Sequence, residues 1–522
     1  MPTPSTASPP GVPEADGRAT ESNSDVGRLV KHSSIYAIGS VLNRVGAFIL
    51  LPVYTNYLSL AQYGELEMFY AVAAVAGGLL SVGLAHATLR FYFEYEDPQD
   101  RREVVSTNLI VATGIAAIGA LAVAPFREAI SSLVFGAPGH ELGIAIVLTT
   151  MVFEMSTQIG LAYLRARESS VFFLSVVLLR LVAQVGVNTW LVVGLGAGVT
   201  GVLAGNCFAV ALGWTLVTVY TVRHCGLACR LDKAVPVLRY SYPFLLSTVV
   251  GIVAANADRV FIRSILSFEA LGLFALATKF SRLLEELIGL PFSQAYGSFR
   301  FSIMHQGNAA DIQARVARVL FALAVTMGLG VVLFAGDVLT VVSDESFHAA
   351  REILPLLVAA AIARVMTYPM QTGILVRKQT REIFYLGLLE AVLYVGASYF
   401  LIQGIGLMGA SLALLIVAVV VLWATDRLAQ RHFAVEYGLR RWGQILILAA
   451  YCYAATLPLL HAPLWIGVPL KLAVLLLFVA ALARSSVFDD TERELAMIWL
   501  QRTRCRWLGR ARGLAAASEG GA

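Results

Sequence analysis

Apolar runs of about 20 residues, each long enough to cross a hydrocarbon layer ~30 Å thick, recur from residue 33 to Arg484. No feature constrains the fold more, because backbone polar groups in lipid must be satisfied within the segment or by a closed barrel. About fourteen spans are expected, at 33–55, 66–89, 104–126, 143–163, 171–195, 199–222, 237–258, 270–297, 317–342, 353–376, 382–402, 406–425, 444–461 and 466–484. Only 14% of the 522 residues are charged and 58% are hydrophobic. A soluble chain carries about a quarter charged residues, so the expected class is an all-α polytopic membrane protein.

The connections set the orientation. With the N-terminus inside, 29 of the 39 Lys and Arg fall in cytoplasmic connections and tails, 4 in outer loops and 6 within spans. Basic residues accumulate on the cytoplasmic side, which predicts a multi-pass protein of the cytoplasmic (inner) membrane with both termini inside. The formal net charge of +5 is scattered through short loops, so nucleic acid is not an expected partner. Outer loops are short, with no room for an extracytoplasmic catalytic domain.

Residues 1–27 are rich in Pro, Ser, Thr and Gly and predict a disordered cytoplasmic tail without the apolar core of a signal peptide. Laying 30–64 on 238–272 aligns Ser33 with Ser241, Val41 with Val249, Val45 with Val253, Ala47 with Ala255 and Leu58-Ser59-Gly64 with Leu266-Ser267-Gly272. That offset covers six helices, an even number, so the two copies share an orientation, as in parallel-repeat transporters. The expected organisation is an N-lobe at 28–222, a basic linker at 223–236, a C-lobe at 237–429 and two further helices at 430–484. In the tail at 485–522, Asp489 and Glu492 resemble a helix start. Leu495, Ile498 and Trp499 then share a face beside Arg502, Arg506 and Arg510, as in a basic amphipathic helix on an anionic leaflet.

Within this apolar text, the stretch ATKFSRLLEELIG at 277–289 stands out, with Lys279, Arg282, Glu285 and Glu286. A charge at the centre of a spanning helix costs on the order of 3 kcal/mol or more, so such ions face a protein interior or a wet cavity. Lys279, Arg282 and Glu286 share one face, and Arg282 has Glu286 within i+4 reach. By depth, Arg44, Arg180, Lys279, Arg282 and Arg364 all fall near the bilayer midplane, which predicts one polar volume with an excess of cations. Such a volume selects an anion, and a guanidinium suits phosphate because its planar fork binds two oxygens.

The competing reading is that each cation is locked to a nearby acid and serves helix packing. Glu154, Glu285, Glu286 and Glu390 are the available acids, and with Asp258 they are also the candidates for coupling to a proton or sodium ion. Asp258 and Arg259 also read as a solvated helix terminus, and Lys471 as a residue that snorkels to the interface. Pro243, Pro291 and Pro369 interrupt spans and are candidate hinges or static kinks. The cysteines, Cys207, Cys225, Cys229, Cys452 and Cys505, imply no disulfide framework, and His224 with Cys225 and Cys229 lacks a zinc spacing. No GxxxxGK[ST] loop is present, and neither a cofactor nor a metal is called for.

One passage has a recognisable text. Ser33-Ser34, Asn43-Arg44, Pro52 with Thr55 and Leu58, Tyr63-Gly64, and Gly83-Leu84 followed by Arg90-Phe91 resemble the polysaccharide transporter family over residues 30–96. That family includes Wzx-type O-antigen and exopolysaccharide flippases and resembles the multidrug/oligosaccharidyl-lipid/polysaccharide exporter superfamily. The resemblance implies two six-helix bundles related by a pseudo-two-fold around a central cavity. It also implies movement of undecaprenyl-pyrophosphate-linked glycan between leaflets by alternating access, with glycosyltransferases and a polysaccharide polymerase as partners. No bond is made in such a process, so no enzyme is expected.

Three other classes compete. A drug or metabolite antiporter of the same fold would favour an acidic cavity, whereas the midplane charge here is positive. A membrane polymerase or ligase would need long outer loops. A peptidoglycan-precursor flippase shares the same physics and differs only in the sugars.

Overall fold

The computed structural model describes residues 48–81 and 83–485, together with Gly39 and Gly46. Arg44, the two tails, most of the first expected span and the side chain of Pro243 lie outside the described residues. Helices follow one another without a strand among the described residues. They are α1 (Leu51–Tyr57), α2 (Leu60–Ser81), α3 (Leu84–Glu94), α4 (Pro98–Val123), α5 (Arg127–Phe135), α6 (Glu141–Ala166), α7 (Ser170–Thr189), α8 (Gly198–Cys225) and α9 (Leu231–Ile265). Then come α10 (Phe268–Leu284), α11 (Leu290–Ile303), α12 (Ala309–Val342), α13 (Ala350–Met370), α14 (Thr372–Val376), α15 (Thr380–Ile405), α16 (Leu407–His432), α17 (Leu439–Thr456) and α18 (Leu464–Arg484).

Eleven stretches among the described residues are long and apolar enough to cross a membrane, and each coincides with an expected span. Of the other three, the first lies largely outside the described residues and 237–258 is contained in the 35-residue α9. The third, 270–297, is helical from end to end but carries the four ions of 277–289, which lower its apolarity.

The chain divides into two compact units, Met1–Val253 and Ala254–Ala522, with the division inside α9. In the first unit, α3, α4 and α6 share a core of Leu84, Phe91, Val105, Leu109, Ile159 and Tyr163. Helices approach closely at small residues, as is usual where lipid offers no hydrophobic drive for helix association. A Cβ on Gly160 would stand 2.0 Å from Val217 Cγ1, and one on Gly143 would stand 2.4 Å from Phe69 Cζ.

The linker after α8 is fastened to the start of α4. Ser106 Oγ donates to Gly226 O at 3.0 Å and accepts from Ala228 N at 2.7 Å, while Thr107 Oγ1 accepts from Arg230 N at 3.1 Å. Lys233 Nζ lies 2.8 Å from Asp100 and 3.9 Å above the Tyr95 ring. The bond to Asp100 raises the Lys233 pKa and keeps the ammonium charged.

In the second unit, α17 and α18 pack on α12 through Phe321, Trp442, Ile445 and Phe478, with the Phe321 and Trp442 rings stacked at 4.7 Å. The expectation that Lys471 snorkels is corrected here. Lys471 is 2% exposed, and its ammonium donates to both oxygens of Asp337 on α12, at 2.7 and 2.9 Å. The side chain turns inward because an acid 134 residues away offers more than the interface does.

Breaking one partner of such a pair strands the other charge, at a cost of about 3–5 kcal/mol, whereas replacing both by apolar groups is often neutral. Lys471→Met and Asp337→Leu are each expected to lower the thermal midpoint of the detergent-solubilised protein sharply. The double variant should recover most of the loss, and additive losses would show that the pair is not coupled.

Candidate functional site

The ionic stretch of 277–289 sits where the helix changes pitch. α10 is capped by Ser267, whose hydroxyl accepts from Ala270 N at 3.2 Å, and runs from Phe268 to Leu284; a π-helical turn at Glu285–Gly289 then leads into α11, where Pro291 stands near the N-terminus. Proline has no N–H to donate, and a wider turn before it absorbs the missing bond. Such turns re-aim the side chains that follow.

α13 runs alongside in the same direction. Leu284 meets Val358 and Ile362 around Gly328, and five residues on a Cβ at Gly289 would come 3.1 Å from both Val365 Cγ2 and Tyr368 Cε2. Contacts thus advance together along both helices. Tyr368 donates its hydroxyl to Glu285 Oε1 at 3.2 Å. Arg282 lies fourteen residues beyond Phe268 and Arg364 fourteen beyond Ala350, so the two guanidinium-bearing residues stand about 21 Å from the starts of neighbouring parallel helices.

Both arginines are exposed, and neither makes a side-chain hydrogen bond or ion pair among the described residues. The expected Arg282–Glu286 pair is therefore not formed. Lys279 and Glu286 are half-buried.

Arg180 belongs to the first unit. Its Nη2 lies 2.8 Å from Glu154 Oε2, with the two side chains 25% and 17% exposed. Gln158 Nε2 donates to the other oxygen of Glu154 at 2.7 Å. Together they line a cleft of about 180 Å³ between α6 and α7.

Asp258 is not a solvated terminus. The apolar text continues past it through Val260, Phe261 and Ile262, α9 extends to Ile265, and Asp258 is 4% exposed. Its Oδ2 accepts from Tyr394 Oη at 2.8 Å and its Oδ1 from Arg259 N at 2.8 Å, while Arg259 Nη1 donates to Asn256 Oδ1 at 3.1 Å. Glu390 precedes Tyr394 by one turn on α15, half-buried, in line with the buried Leu386, Tyr394, Ser398 and Ile402.

A second polar cluster escaped the sequence reading. Asn188 Nδ2 donates to Tyr54 Oη at 2.7 Å and to Asn206 Oδ1 at 3.0 Å, Gln184 Nε2 reaches the same Asn206 oxygen at 2.9 Å, and Asn206 Nδ2 donates to Tyr70 Oη at 3.2 Å. Two asparagines inside apolar spans were the available signal. Attention to formal charge passed over them.

Guanidinium groups at mid-helix depth can hold anions, and no group of three or more His, Cys, Asp or Glu suited to a metal ion is found among the described residues. The fold and these groups define a multi-pass, all-helical membrane protein with ions inside its spans. A sequence profile for the family described as "Polysaccharide biosynthesis protein" matches residues 29–296, just over half of the 522, and the chain belongs to that family.

Solved structures of similar fold include the lipid II flippase MurJ in an inward closed conformation (TM-score 0.68, 13% identity, covering 86% of this chain and 98% of that one). An inward-facing multidrug resistance MATE family transporter of the MOP superfamily gives TM-score 0.59 at 17% identity over 74% of this chain and 94% of that one. The Vibrio cholerae MATE transporter VcmN in its bent form gives 0.51 at 12% identity over 78% and 98%. No curated protein sequence matches the chain.

Tyr368→Phe removes the donor to Glu285, a hydrogen bond to a charged group being worth about 1.5–3 kcal/mol. A lower thermal midpoint in detergent is expected, with a smaller loss in Glu285→Gln, which still accepts. Identical midpoints for wild type and Tyr368→Phe would show that this bond does not join α13 to the π-helical turn.

Proposed function

We propose that the protein is a flippase that moves undecaprenyl-pyrophosphate-linked oligosaccharide from the cytoplasmic to the outer leaflet during synthesis of an O-antigen, exopolysaccharide or capsule. One observation carries the reading: two exposed arginines, Arg282 and Arg364, each within the span of one of two neighbouring helices of a polysaccharide biosynthesis family member. An uncompensated guanidinium pair within spans favours a dense anion such as pyrophosphate, and disfavours a cationic drug. Lys279 in the second unit, and Arg180 and Arg44 in the first, are the further candidate ligands for anions, and transport proceeds by alternating access without a bond being made or broken.

Asp258, held by Tyr394 and with Glu390 one turn away, is the foremost group for coupling to a proton or sodium ion. Glu154, Glu285 and Glu286 are the further acids of that role. The distribution of Lys and Arg supports an inner-membrane protein with both termini cytoplasmic. The glycosyltransferases that load the lipid and the polymerase that consumes it are the partners this role requires.

The test is translocation of labelled undecaprenyl-pyrophosphate oligosaccharide in proteoliposomes. Losing one charged hydrogen-bond donor set is expected to slow transport about 10- to 100-fold in Arg282→Ala and Arg364→Ala, with Arg282→Lys partly active. Wild-type rates in both alanine variants would sink the reading. Transport of a peptidoglycan lipid precursor in preference to the oligosaccharide would redirect it to that substrate.

A further inference from the structure

The cleft of the first unit holds more than one ion pair. Its α6 wall presents Glu154, Gln158 and Arg165 on one stripe, at i, i+4 and i+11, and its α7 wall presents Phe173 and Arg180. Arg165 is the penultimate residue of α6, beside the α6–α7 turn, and Glu154 lies eleven residues back, about 16 Å along the helix. The cleft therefore leads from a helix end to mid-span, with a guanidinium at each level. Its 180 Å³ equals the share of about six liquid waters, at roughly 30 Å³ each, which is room for a phosphate or diphosphate group.

The inner guanidinium is occupied by an acid of the same chain. Arg180 Nη2 contacts Glu154 Oε2 at 2.8 Å, and Gln158 secures Oε1. An anion that takes Arg180 must displace that carboxylate or meet it protonated. Among the described residues, neighbouring helices supply no other charge at this level: a Cβ on Gly213 of α8 would stand 3.5 Å from Arg180 Cδ, α4 gives Thr113 to Ser156, Gly77 of α2 faces Met151 and Met155, and Gly39 lies against Phe173. Among the described residues, the charged groups of the cleft are Glu154, Arg165 and Arg180.

We propose that this cleft is an anion site for a diphosphate group, with Arg165 and Arg180 as its ligands and Glu154 as a built-in competitor for Arg180. The diphosphate identity rests on the lipid-linked substrate proposed above. Binding of the anion and uptake of a proton by Glu154 favour each other, since each removes the need for the Arg180–Glu154 pair. Release of the proton restores the pair and expels the anion.

The probe is inorganic pyrophosphate titrated onto the purified full chain in detergent, with sulfate, whose charge is constant between about pH 6 and pH 8, as the anion for pH series. Wild type is expected to bind both anions, more tightly at the lower pH. Arg180→Gln should weaken pyrophosphate at least tenfold and Arg165→Gln severalfold. Glu154→Gln should tighten sulfate severalfold and flatten its pH dependence, a change that a merely structural pair would not produce. The Glu154→Gln/Arg180→Gln double variant, which strands no charge, guards against misfolding and should still fail to bind.

Weaker binding in Glu154→Gln, or unchanged binding in Arg180→Gln, would overturn the proposal. Undecaprenyl pyrophosphate run against inorganic pyrophosphate tells whether the lipid or the free anion is preferred. Failure of this site with intact lipid transport would leave the proposed function standing. Pyrophosphate binding with the Glu154 signature, but no lipid transport, would leave the site and remove that function.

Discussion

Keeping a charge inside hydrocarbon is the constraint on which this structure turns, because an isolated ion there costs several kcal/mol and must be paired, wetted or neutralised. The described residues show different solutions in different places. Lys471 and Asp337 close on each other with two short bonds, and Arg180 and Glu154 pair at the wall of a cleft. Asp258 accepts from a tyrosine hydroxyl and a backbone amide, with the Arg259 guanidinium 3.7 Å away. Arg282 and Arg364 follow none of these: both are exposed within a span and make no ion pair among the described residues.

The helices themselves were legible in the sequence because hydropathy and length are local properties. Even the join between α15 and α16 follows from local text: Gly406 adopts φ 62 and ψ −138, a conformation reserved for glycine, and a Cβ on Gly409 would come 2.0 Å from Leu401 O. Partnerships were not legible, because they join residues more than a hundred positions apart. Asp337 and Lys471 are separated by 134 residues, and Asp258 and Tyr394 by 136. Depth counted from the start of an apolar run says where an ion lies along its helix and nothing about what faces it. For that reason Lys471 read as an interfacial residue, and Asp258 read as a terminus when the helix continues for seven more residues.

The candidate site was legible in its chemistry and only partly in its geometry. Four ions in 277–289 marked the stretch where the helix changes pitch, yet the pairing of Arg282 with Glu286 assumed an unbroken α-helical spacing. The π-helical turn beginning at Glu285 changes the angular step just where that pair would form, and Pro291 six residues on supplies the reason for the turn. Glu285, which the helical-face count left out, proves to be the residue that reaches the next helix, through Tyr368.

Packing in membranes can be achieved with glycine and hydroxyl side chains, as at Gly143, Gly160 and the Ser156–Thr113 contact of 2.7 Å. That economy argues that an ion retained in a span has work beyond packing. Lys471 and Asp337 limit the argument, since their pair joins α18 to α12 and supplies a fixed cross-link where the packed surface is otherwise apolar. The discriminating property is therefore exposure combined with pairing. Lys471, itself 2% exposed, is closed off with its pair, whereas Arg180 at the wall of a cleft, and Arg282 and Arg364 exposed within their spans, stand within reach of a ligand.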